Sequence, residues 1–288
     1  MTQGIQAASA FAAKAFKSAC LAELEALKPG NVHIFADGHG MVVQDFLHSA
    51  EAAQVIAGPD LTVGQRILAA VEATRQAVSH NTNLGIILLC APLIHAYLNG
   101  KAALREDLRD VLQNLTIDDA ELAYRAIVIA SPAGLGSGVN HDVAEPPRIT
   151  LLHAMQEAAQ RDRIALQYVN GFEDIFGMGM TRYRETLQKW DNPAWTTTAV
   201  YMGFLAALPD THIGRKYGES VALGVQKRAK ELDQKLLHLD NPKHCLRDLL
   251  KYDAELKAEG LNPGTSADLT VATLLAAALE NTKTMRAP

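Results

Sequence analysis

The stretch LGIILLCAPLIHAYL (84–98) is the most apolar run of the chain, and it decides the fold class. Its apolar residues would cover nearly every face of a helix, and a helix of that kind lies in the interior of a helical protein. The run is too short to cross a bilayer, and it contains Pro92 and His95. It therefore predicts a central, buried helix.

Apolar residues recur at three- and four-residue spacing along almost the whole chain, whereas strand patterns are nearly absent. We therefore predict an all-α protein, with about 10–13 helices in one compact domain over residues 1–288. The predicted helices span 5–26, 43–57, 62–79, 83–98, 101–113, 117–130, 148–168, 172–189, 194–207, 218–238, 242–258 and 266–283.

Composition restricts the class of function. A formal net charge of −5 argues against a nucleic-acid partner. The three cysteines are widely separated and form no CxxC pair, which indicates thiols in a reducing compartment. The first residues show no signal-peptide pattern. We expect a cytoplasmic protein without a nucleic-acid or membrane partner, and a homodimer is left open.

Five junctions between the predicted helices carry polar, glycine-rich sequence. The junctions of a helical bundle cluster at its two ends, so alternate junctions can converge on one pocket. The five are LKPGNVHIFADGHGM (27–41), HNTNLG (80–85), SPAGLGSGVNHD (131–142), LPDTHIGRKYG (208–218) and LNPGTSAD (261–268).

The charged residues of these junctions suit a nucleotide polyphosphate with Mg²⁺. Carboxylates bind the metal, while Lys and Arg neutralise phosphate oxygens. The expected phosphate ligands are Lys28, Arg215 and Lys216, and the expected metal ligands are Asp210 and Asp268. Glu23, about one turn before Lys28 on a largely apolar face, is hard to explain by solvation alone. We expect it to act in catalysis.

Three further junction residues are good helix-capping types, and we expect them to orient the nucleotide. They are Asn81, Asn83 and Ser266. The alternative is that they only cap helices, since Asn and Ser satisfy the first backbone N–H groups. His33 and Asp142 complete the expected catalytic set. The carboxylates Glu23, Asp142, Asp210 and Asp268 would share the roles of metal ligand and general base.

Other site types fit less well. The dipeptide His141-Asp142 suggests an HD-like metal phosphohydrolase on a helical scaffold, but one such pair is a weak signal. The histidine spacings match no zinc site, and GLGSG (134–138) follows a helical pattern, which excludes a dinucleotide loop. A non-catalytic helical binding protein is the remaining alternative.

Taken together, the junctions resemble those of the triphosphoribosyl-dephospho-CoA synthase family, also called CitG-like, over roughly residues 16–280. Each motif is weak alone, but four in the right order form a specific signal. They are Glu23 with Lys28-Pro29-Gly30; Asn81-Thr82-Asn83-Leu84-Gly85; Asp210-Thr211 with Arg215 and Gly218; and Pro263-Gly264-Thr265-Ser266-Ala267-Asp268-Leu269.

The resemblance implies an all-α transferase. Such enzymes attach the triphosphoribosyl part of ATP to a ribose hydroxyl of 3′-dephospho-CoA and release adenine, so ATP with Mg²⁺ is the expected substrate pair. The product matures into a prosthetic group of an acyl carrier protein.

Three junctions depart from the family pattern, which indicates a divergent branch. His33 stands where the family places an aspartate, and GHGM lacks the acid before Met41. NTNLG lacks a histidine and a lysine, and the arginine-bearing loop has become SPAGLGSGVNHD. The acceptor is therefore left open, and a step in cofactor biosynthesis of methanopterin-type one-carbon pathways is the specific alternative.

Overall fold

The computed structural model describes residues 2–130 and 147–286, and the side chains of 4–130 and 147–282. In these ranges it contains helices, no β-strand, and two isolated bridges, His33 with Ala36 and Gly38 with Met41. The α-helices are α1 (Thr2–Glu25), α2 (Val43–Ala52), α3 (Val63–Ala77), α4 (Leu84–Asn99), α5 (Leu104–Gln113), α6 (Ile117–Ala130), α7 (Leu151–Ala158), α8 (Arg163–Asn170), α9 (Met180–Trp190), α10 (Pro193–Ala207), α11 (Thr211–Tyr217), α12 (Glu219–His238), α13 (Leu246–Ala258) and α14 (Gly264–Arg286). Short 3₁₀-helices span Ala53–Ala57 and Pro242–Cys245, and a π-helix spans Asp174–Gly179. The predicted all-α fold is confirmed.

The described residues form 14 α-helices, more than the 10–13 that we predicted. One predicted helix, 148–168, is divided into α7 and α8, because the carboxylate of Asp162 caps a new helix start. It accepts hydrogen bonds from the backbone N–H groups of Ile164 (2.8 Å) and Ala165 (3.1 Å). The predicted junction 208–218 contains α11, which is only seven residues long and therefore too short to show a periodic apolar pattern.

The chain divides into two compact units. The first comprises Met1–Ser18, Phe46–Phe172 and Leu275–Pro288, and the second comprises Ala19–Asp45 and Glu173–Leu274. All three of the polar junctions 27–41, 208–218 and 261–268 belong to the second unit. The single domain over 1–288 stays a prediction.

Helix α4 occupies the core of the first unit, as its sequence predicts. Twelve of its sixteen residues are buried, and it packs against α3, α5 and α8. No single helix in the described ranges is long and apolar enough to cross a membrane; α4 and α5 meet the length and composition criteria only as a pair bent by 111°.

Pro92 lies inside α4 and has no backbone N–H, so the carbonyl oxygen of Leu88 loses its usual helical donor. The hydroxyl of Tyr168 on α8 replaces that donor with a hydrogen bond of 2.6 Å to the Leu88 oxygen. Tyr168 is only 1% exposed, and burial raises the pKa of its phenol, so the donor proton is retained. One side chain thus compensates for the proline and joins α8 to α4.

The second unit is organised around α10. Its residues from Thr196 to Ala206 are all buried, and it packs against α9 and α12. The helix begins with Asn192, whose side chain accepts a hydrogen bond from the backbone N–H of Trp195 at 3.2 Å, followed by Pro193 at a position that favours proline. Tyr201 of this helix donates a hydrogen bond of 2.7 Å to the Pro29 carbonyl and so anchors the KPG loop.

We expect Tyr168→Phe to lower the free energy of unfolding by about 1–3 kcal/mol, because the buried Leu88 carbonyl loses its donor. In a Pro92→Ala background the same substitution should cost much less, since the restored backbone N–H at position 92 can donate instead. Urea unfolding of the wild type, both single variants and the double variant measures this coupling. An equal cost in both backgrounds would contradict the explanation.

Candidate active site

Three of the five polar junctions are joined by hydrogen bonds in the second unit. Asn31 of the first junction donates from Nδ2 to Oδ1 of Asn262 at 2.8 Å. Asp210 of the fourth junction accepts from the backbone N–H and the hydroxyl of Ser266 in the last, both at 2.8 Å. Junction 80–85 belongs to the first unit, and junction 131–142 lies outside the described residues. Three of the junctions are therefore in contact, and a common pocket formed by them stays a prediction.

Glu23 and Lys28 form a buried ion pair at the start of the KPG loop. Glu23 is 4% exposed and Lys28 is 1% exposed. The Nζ of Lys28 contacts Oε1 of Glu23 and donates to Oδ1 of Asn31 at 3.0 Å. Glu23 lies in the last turn of α1 and Lys28 follows shortly after the helix end, so their local spacing brings the two side chains together. Asn31 then connects this pair to Asn262.

Burial is the largest influence on the pKa values of Glu23 and Lys28. Burial raises the pKa of Glu23, and Lys28 offsets part of that increase. Burial lowers the pKa of Lys28, whereas Glu23 and Asp268 oppose that decrease. The pKa of Glu23 is therefore raised, and that of Lys28 is lowered. A carboxylate with a raised pKa is suited to act as a general base.

The loop between Lys28 and Asn31 requires glycine at its third position. Gly30 has φ of +83°, a region that L side chains avoid. A Cβ there would also lie 2.8 Å from Leu256 and 2.9 Å from Pro263. The Gly30 backbone N–H donates to Oδ1 of Asp253 on α13 at 2.8 Å. The loop is thus held against α13 by a hydrogen bond and by close packing.

His33 is fully buried and lies between Asp253 and Lys257 of α13. Its Nδ1 accepts a hydrogen bond of 3.3 Å from the Phe35 backbone N–H, so the proton of a neutral ring lies on Nε2. That Nε2 is 3.3 Å from Oδ2 of Asp253, to which it donates. Lys257 binds the same carboxylate at 3.1 Å and the Ala36 carbonyl at 3.1 Å.

Burial favours the neutral form of the His33 ring. Burial lowers its pKa, Asp253 opposes this, and the positive charge of Lys257 lowers it further. Burial alone would raise the pKa of Asp253, but hydrogen bonds from His33 and the Gly30 N–H outweigh burial and hold it below its usual range. The arrangement is a charged Lys257 and Asp253 pair beside a neutral histidine.

Sequence reasoning missed Asp253 and Lys257. Their spacing of four residues places them on one face of a helix, which is a signal, but such pairs are common on exposed helices. His33 precedes Asp253 by more than 200 positions in the chain. Nothing in the local sequence connects the two, and their pairing follows from the packing of the loop on α13.

Asp210 connects α11 to α14. One carboxylate oxygen accepts from the backbone N–H groups of His212 (3.0 Å) and Ile213 (3.2 Å), so it caps α11. The other accepts two hydrogen bonds from Ser266, on the first turn of α14. Because four donors engage its two oxygens, the carboxylate stabilises two helix starts at once. Its metal-binding role stays a prediction.

A cluster of basic side chains lies around His212. Burial lowers the pKa of His212, and Asp210 opposes this effect. The charges of Arg215, Lys216 and His39 lower it further, so these three groups act on the same ring. Arg215 and Lys216 are exposed in the last turn of α11, and Lys216 Nζ lies 5.0 Å from the centroid of the Tyr217 ring. His39 donates to the Gly30 carbonyl at 2.7 Å, which fixes this part of the loop.

The two predicted asparagines lie in the first unit, where both bind nearby groups. The Oδ1 of Asn81 accepts from the Leu84 N–H at 3.1 Å at the start of α4. The Nδ2 of Asn83 donates to the Thr74 hydroxyl at 3.1 Å. These contacts match the capping alternative, and nucleotide binding by either residue stays a prediction. Asp142 and His141 lie outside the described residues.

No group of three or more His, Cys, Asp or Glu side chains suited to a metal ion occurs in the described ranges. Asp268, near the start of α14, is half-buried, and its charge acts on both Lys28 and Cys20.

The second unit also has a separate cavity of about 610 Å³ between α9, α10 and α12. Gly203 and Ala206 form part of its wall, and Lys227 and Lys230 contribute positive charge. Tyr201, which points to the KPG loop, is two residues from Gly203 and therefore on roughly the opposite face of α10. None of the predicted site residues lines this cavity.

The neutral state of His33 predicts a pH dependence of stability. In the unfolded chain histidine takes up a proton below a pKa of about 6.5, whereas the native ring, with its lowered pKa, does so only at lower pH. Stability rises with pH wherever the unfolded state binds more protons. We therefore expect the free energy of unfolding to fall as pH decreases from 7.5 to 5.5, and His33→Gln to make that decrease shallower. Urea unfolding at several pH values tests this, and parallel curves for the two proteins would refute it.

Comparison with known proteins places the chain in a family. No curated protein matches the sequence significantly. A crystal structure of a candidate triphosphoribosyl-dephospho-CoA synthase from Archaeoglobus fulgidus matches with a TM-score of 0.60 and 23% identity, over 82% of this chain and 98% of that one. At this identity the match supports the fold. The sequence model of ATP:dephospho-CoA triphosphoribosyl transferase matches residues 9–287. The chain therefore belongs to the CitG family of ATP:dephospho-CoA triphosphoribosyl transferases.

Proposed function

We propose that this transferase moves the triphosphoribosyl group of MgATP to a ribose hydroxyl of 3′-dephospho-CoA and releases adenine. The match of the family over 9–287 supports the reaction class. The single structural observation that carries the proposal is the buried pair of Glu23 and Lys28 beside three converging junctions. A buried carboxylate with a raised pKa is the group that the acceptor hydroxyl needs.

The reaction exchanges one bond at C1′ of the ATP ribose. The bond from C1′ to N9 of adenine breaks, and the acceptor oxygen bonds to C1′. Adenine leaves with the electron pair and gains a proton, while the acceptor hydroxyl loses one. We assign Glu23 as the base that takes the hydroxyl proton, and negative charge near C1′ would stabilise positive charge that develops there.

The exposed cations are the proposed ligands of the triphosphate. Arg215 and Lys216 are exposed at the end of α11, and long cationic side chains neutralise phosphate oxygens. Lys28 can reach a phosphate only if its contact with Glu23 opens. We therefore propose that the first role of Lys28 is to orient Glu23.

Magnesium is proposed to enter with ATP as part of the substrate. Mg²⁺ keeps several waters and is commonly bound by one or two carboxylates together with substrate phosphates. Asp210 and Asp268 are the proposed carboxylates, and the oxygens of Asp210 also accept four hydrogen bonds within the protein. The homodimer and the cytoplasmic location stay predictions from the sequence.

The position of His33 supports dephospho-CoA as the acceptor despite the departure from the family motif. His33 is fully buried and donates to Asp253. Asp253 of α13 therefore places a carboxylate 3.3 Å from the His33 ring, next to the position where the resembled motif has an aspartate. The substitution therefore changes an interior contact of the loop.

We expect the purified protein to release adenine when incubated with MgATP and dephospho-CoA, and to form the triphosphoribosyl product. Chromatography quantifies adenine, and mass spectrometry identifies the product. Reactions that lack either Mg²⁺ or the acceptor serve as controls. A protein that binds ATP yet releases no adenine with dephospho-CoA would exclude this acceptor.

Glu23→Gln should reduce kcat by about 10²–10⁴-fold, since the amide cannot accept the hydroxyl proton. Glu25→Gln is the matched control, because Glu25 is two residues away and exposed, and it should keep nearly full activity. Thermal unfolding of both variants checks that Lys28, which keeps its bond to Asn31, is still accommodated. Equal rates for Glu23→Gln and Glu25→Gln would remove Glu23 from the mechanism.

A further inference from the structure

The ring of Phe35 stands out as an exposed aromatic group on an otherwise polar loop. It is 64% exposed, more than any other large hydrophobic side chain in the described part of the chain. Burying a phenyl ring typically contributes about 1.5–3 kcal/mol, and Phe35 gains little of this. Its neighbour Ile34 is also exposed, at 49%. Folding of the chain therefore does not explain why a phenyl ring occupies this position.

The backbone that carries Phe35 is fixed on several sides. The N–H of Ile34 donates to the Leu24 carbonyl at 3.0 Å, and the N–H of Phe35 donates to Nδ1 of His33. Ala36 and His33 exchange backbone hydrogen bonds of 2.9 and 3.3 Å. Lys257 binds the Ala36 carbonyl at 3.1 Å. The ring therefore projects from an ordered turn.

His33 also supports the ring directly. The centroids of the two rings are 5.8 Å apart and their planes are inclined by 55°, which is a tilted contact of the kind that aromatic pairs favour. This contact engages one part of the phenyl group. With the side chain 64% exposed, ring surface stays open to solvent.

The same loop and the last turn of α11 both contact the C-terminal end of α13. Lys257 of α13 binds the Ala36 carbonyl of the loop at 3.1 Å, and the Tyr217 hydroxyl at the end of α11 donates to the Gly260 carbonyl, just after α13, at 2.9 Å. The exposed Arg215 and Lys216 belong to this last turn of α11. An exposed flat ring and exposed cations are thus presented by one loop and the helix beside it. A nucleotide has a group that matches each of these, since its planar base can stack on the ring and its phosphates can bind the cations.

We propose that Phe35 is a substrate-binding residue that stacks on the adenine base of ATP, with its ring held in place by His33. This inference rests on the proposed function. Stacking of a base on an aromatic side chain uses only the π-face of the base. Phe35 would therefore contribute to binding of the base and contribute nothing to binding of the triphosphate.

The test compares two probes on the same variants. Isothermal titration calorimetry measures Kd for ATP and for inorganic tripolyphosphate, both with Mg²⁺. Phe35→Ala should weaken ATP binding by about tenfold or more and leave tripolyphosphate binding unchanged. Phe35→Leu keeps apolar bulk without a π-face and should resemble Phe35→Ala, whereas Phe35→Tyr should bind ATP nearly as the wild type does. Ile34→Ala is the matched control, with an exposed apolar neighbour removed, and should leave both Kd values unchanged.

A spectroscopic measurement gives a second readout. In Phe35→Trp, ATP should change the indole fluorescence beyond the signal of Trp190 and Trp195 in the wild type, and tripolyphosphate should not. If the wild type binds ATP and Phe35→Ala binds it equally well, stacking is excluded while the proposed function stands. Equal weakening of both probes would also exclude it. A wild type that binds no ATP would overturn the proposed function and this inference together.

Discussion

The burial of the Glu23 and Lys28 pair is the constraint on which the architecture of the candidate site depends. Removing two charges from water costs several kcal/mol per ion, and the cost is offset only when the geometry is good and further hydrogen bonds are present. Here Asn31 supplies the additional bond to Lys28, and Asn262 in turn binds Asn31. The KPG loop must therefore take one conformation, because any other would leave a buried charge without a partner.

That conformation explains the surrounding sequence. Gly30 is needed because the turn has a positive φ and passes close to Leu256. The Pro29 carbonyl and the Gly30 N–H are satisfied by Tyr201 and Asp253, respectively. Two helices of the second unit, α10 and α13, thus hold the loop by its backbone. The side chains of Lys28, Asn31 and His33 add contacts to Glu23, Asn262 and Asp253, respectively, whereas Ile34 and Phe35 are exposed.

The sequence predicts elements that depend on local pattern and misses those that depend on distant partners. Helix α4 was predictable because its apolar residues cover all faces over sixteen positions. Helix α11 was not predictable, because it has only seven residues in a polar segment, too few to show the helical spacing of apolar residues. Glu23 and Lys28 are five positions apart, and both belong to the motif of Glu23 with Lys28-Pro29-Gly30, so the sequence itself indicates that they act together. The contact of His33 with Asp253 spans the chain, and only tertiary packing creates it.

Capping residues illustrate why function is harder to predict than fold. Asn81 and Asp210 looked like ligand-binding groups because their side chains are polar and follow helix breaks. In the folded chain both accept hydrogen bonds from helix N-termini, as the Asp210 contacts to His212 and Ile213 show. A side-chain oxygen that accepts a hydrogen bond can cap the start of a helix or bind a donor group of a substrate equally well. Sequence alone cannot separate the two uses, and the structure adds which backbone donors each side chain already binds.

The bond from Tyr168 to the Leu88 carbonyl has a historical consequence. A proline that entered α4 at position 92 before a hydroxyl was available at 168 would have left a buried acceptor without a donor. A tyrosine that arrived first would have met a carbonyl already bonded within its helix, at little cost. Between these two orders, only the one with the tyrosine first avoids an unsatisfied acceptor. With both residues present, loss of the tyrosine alone is the damaging change, whereas loss of the proline restores the backbone donor of the helix.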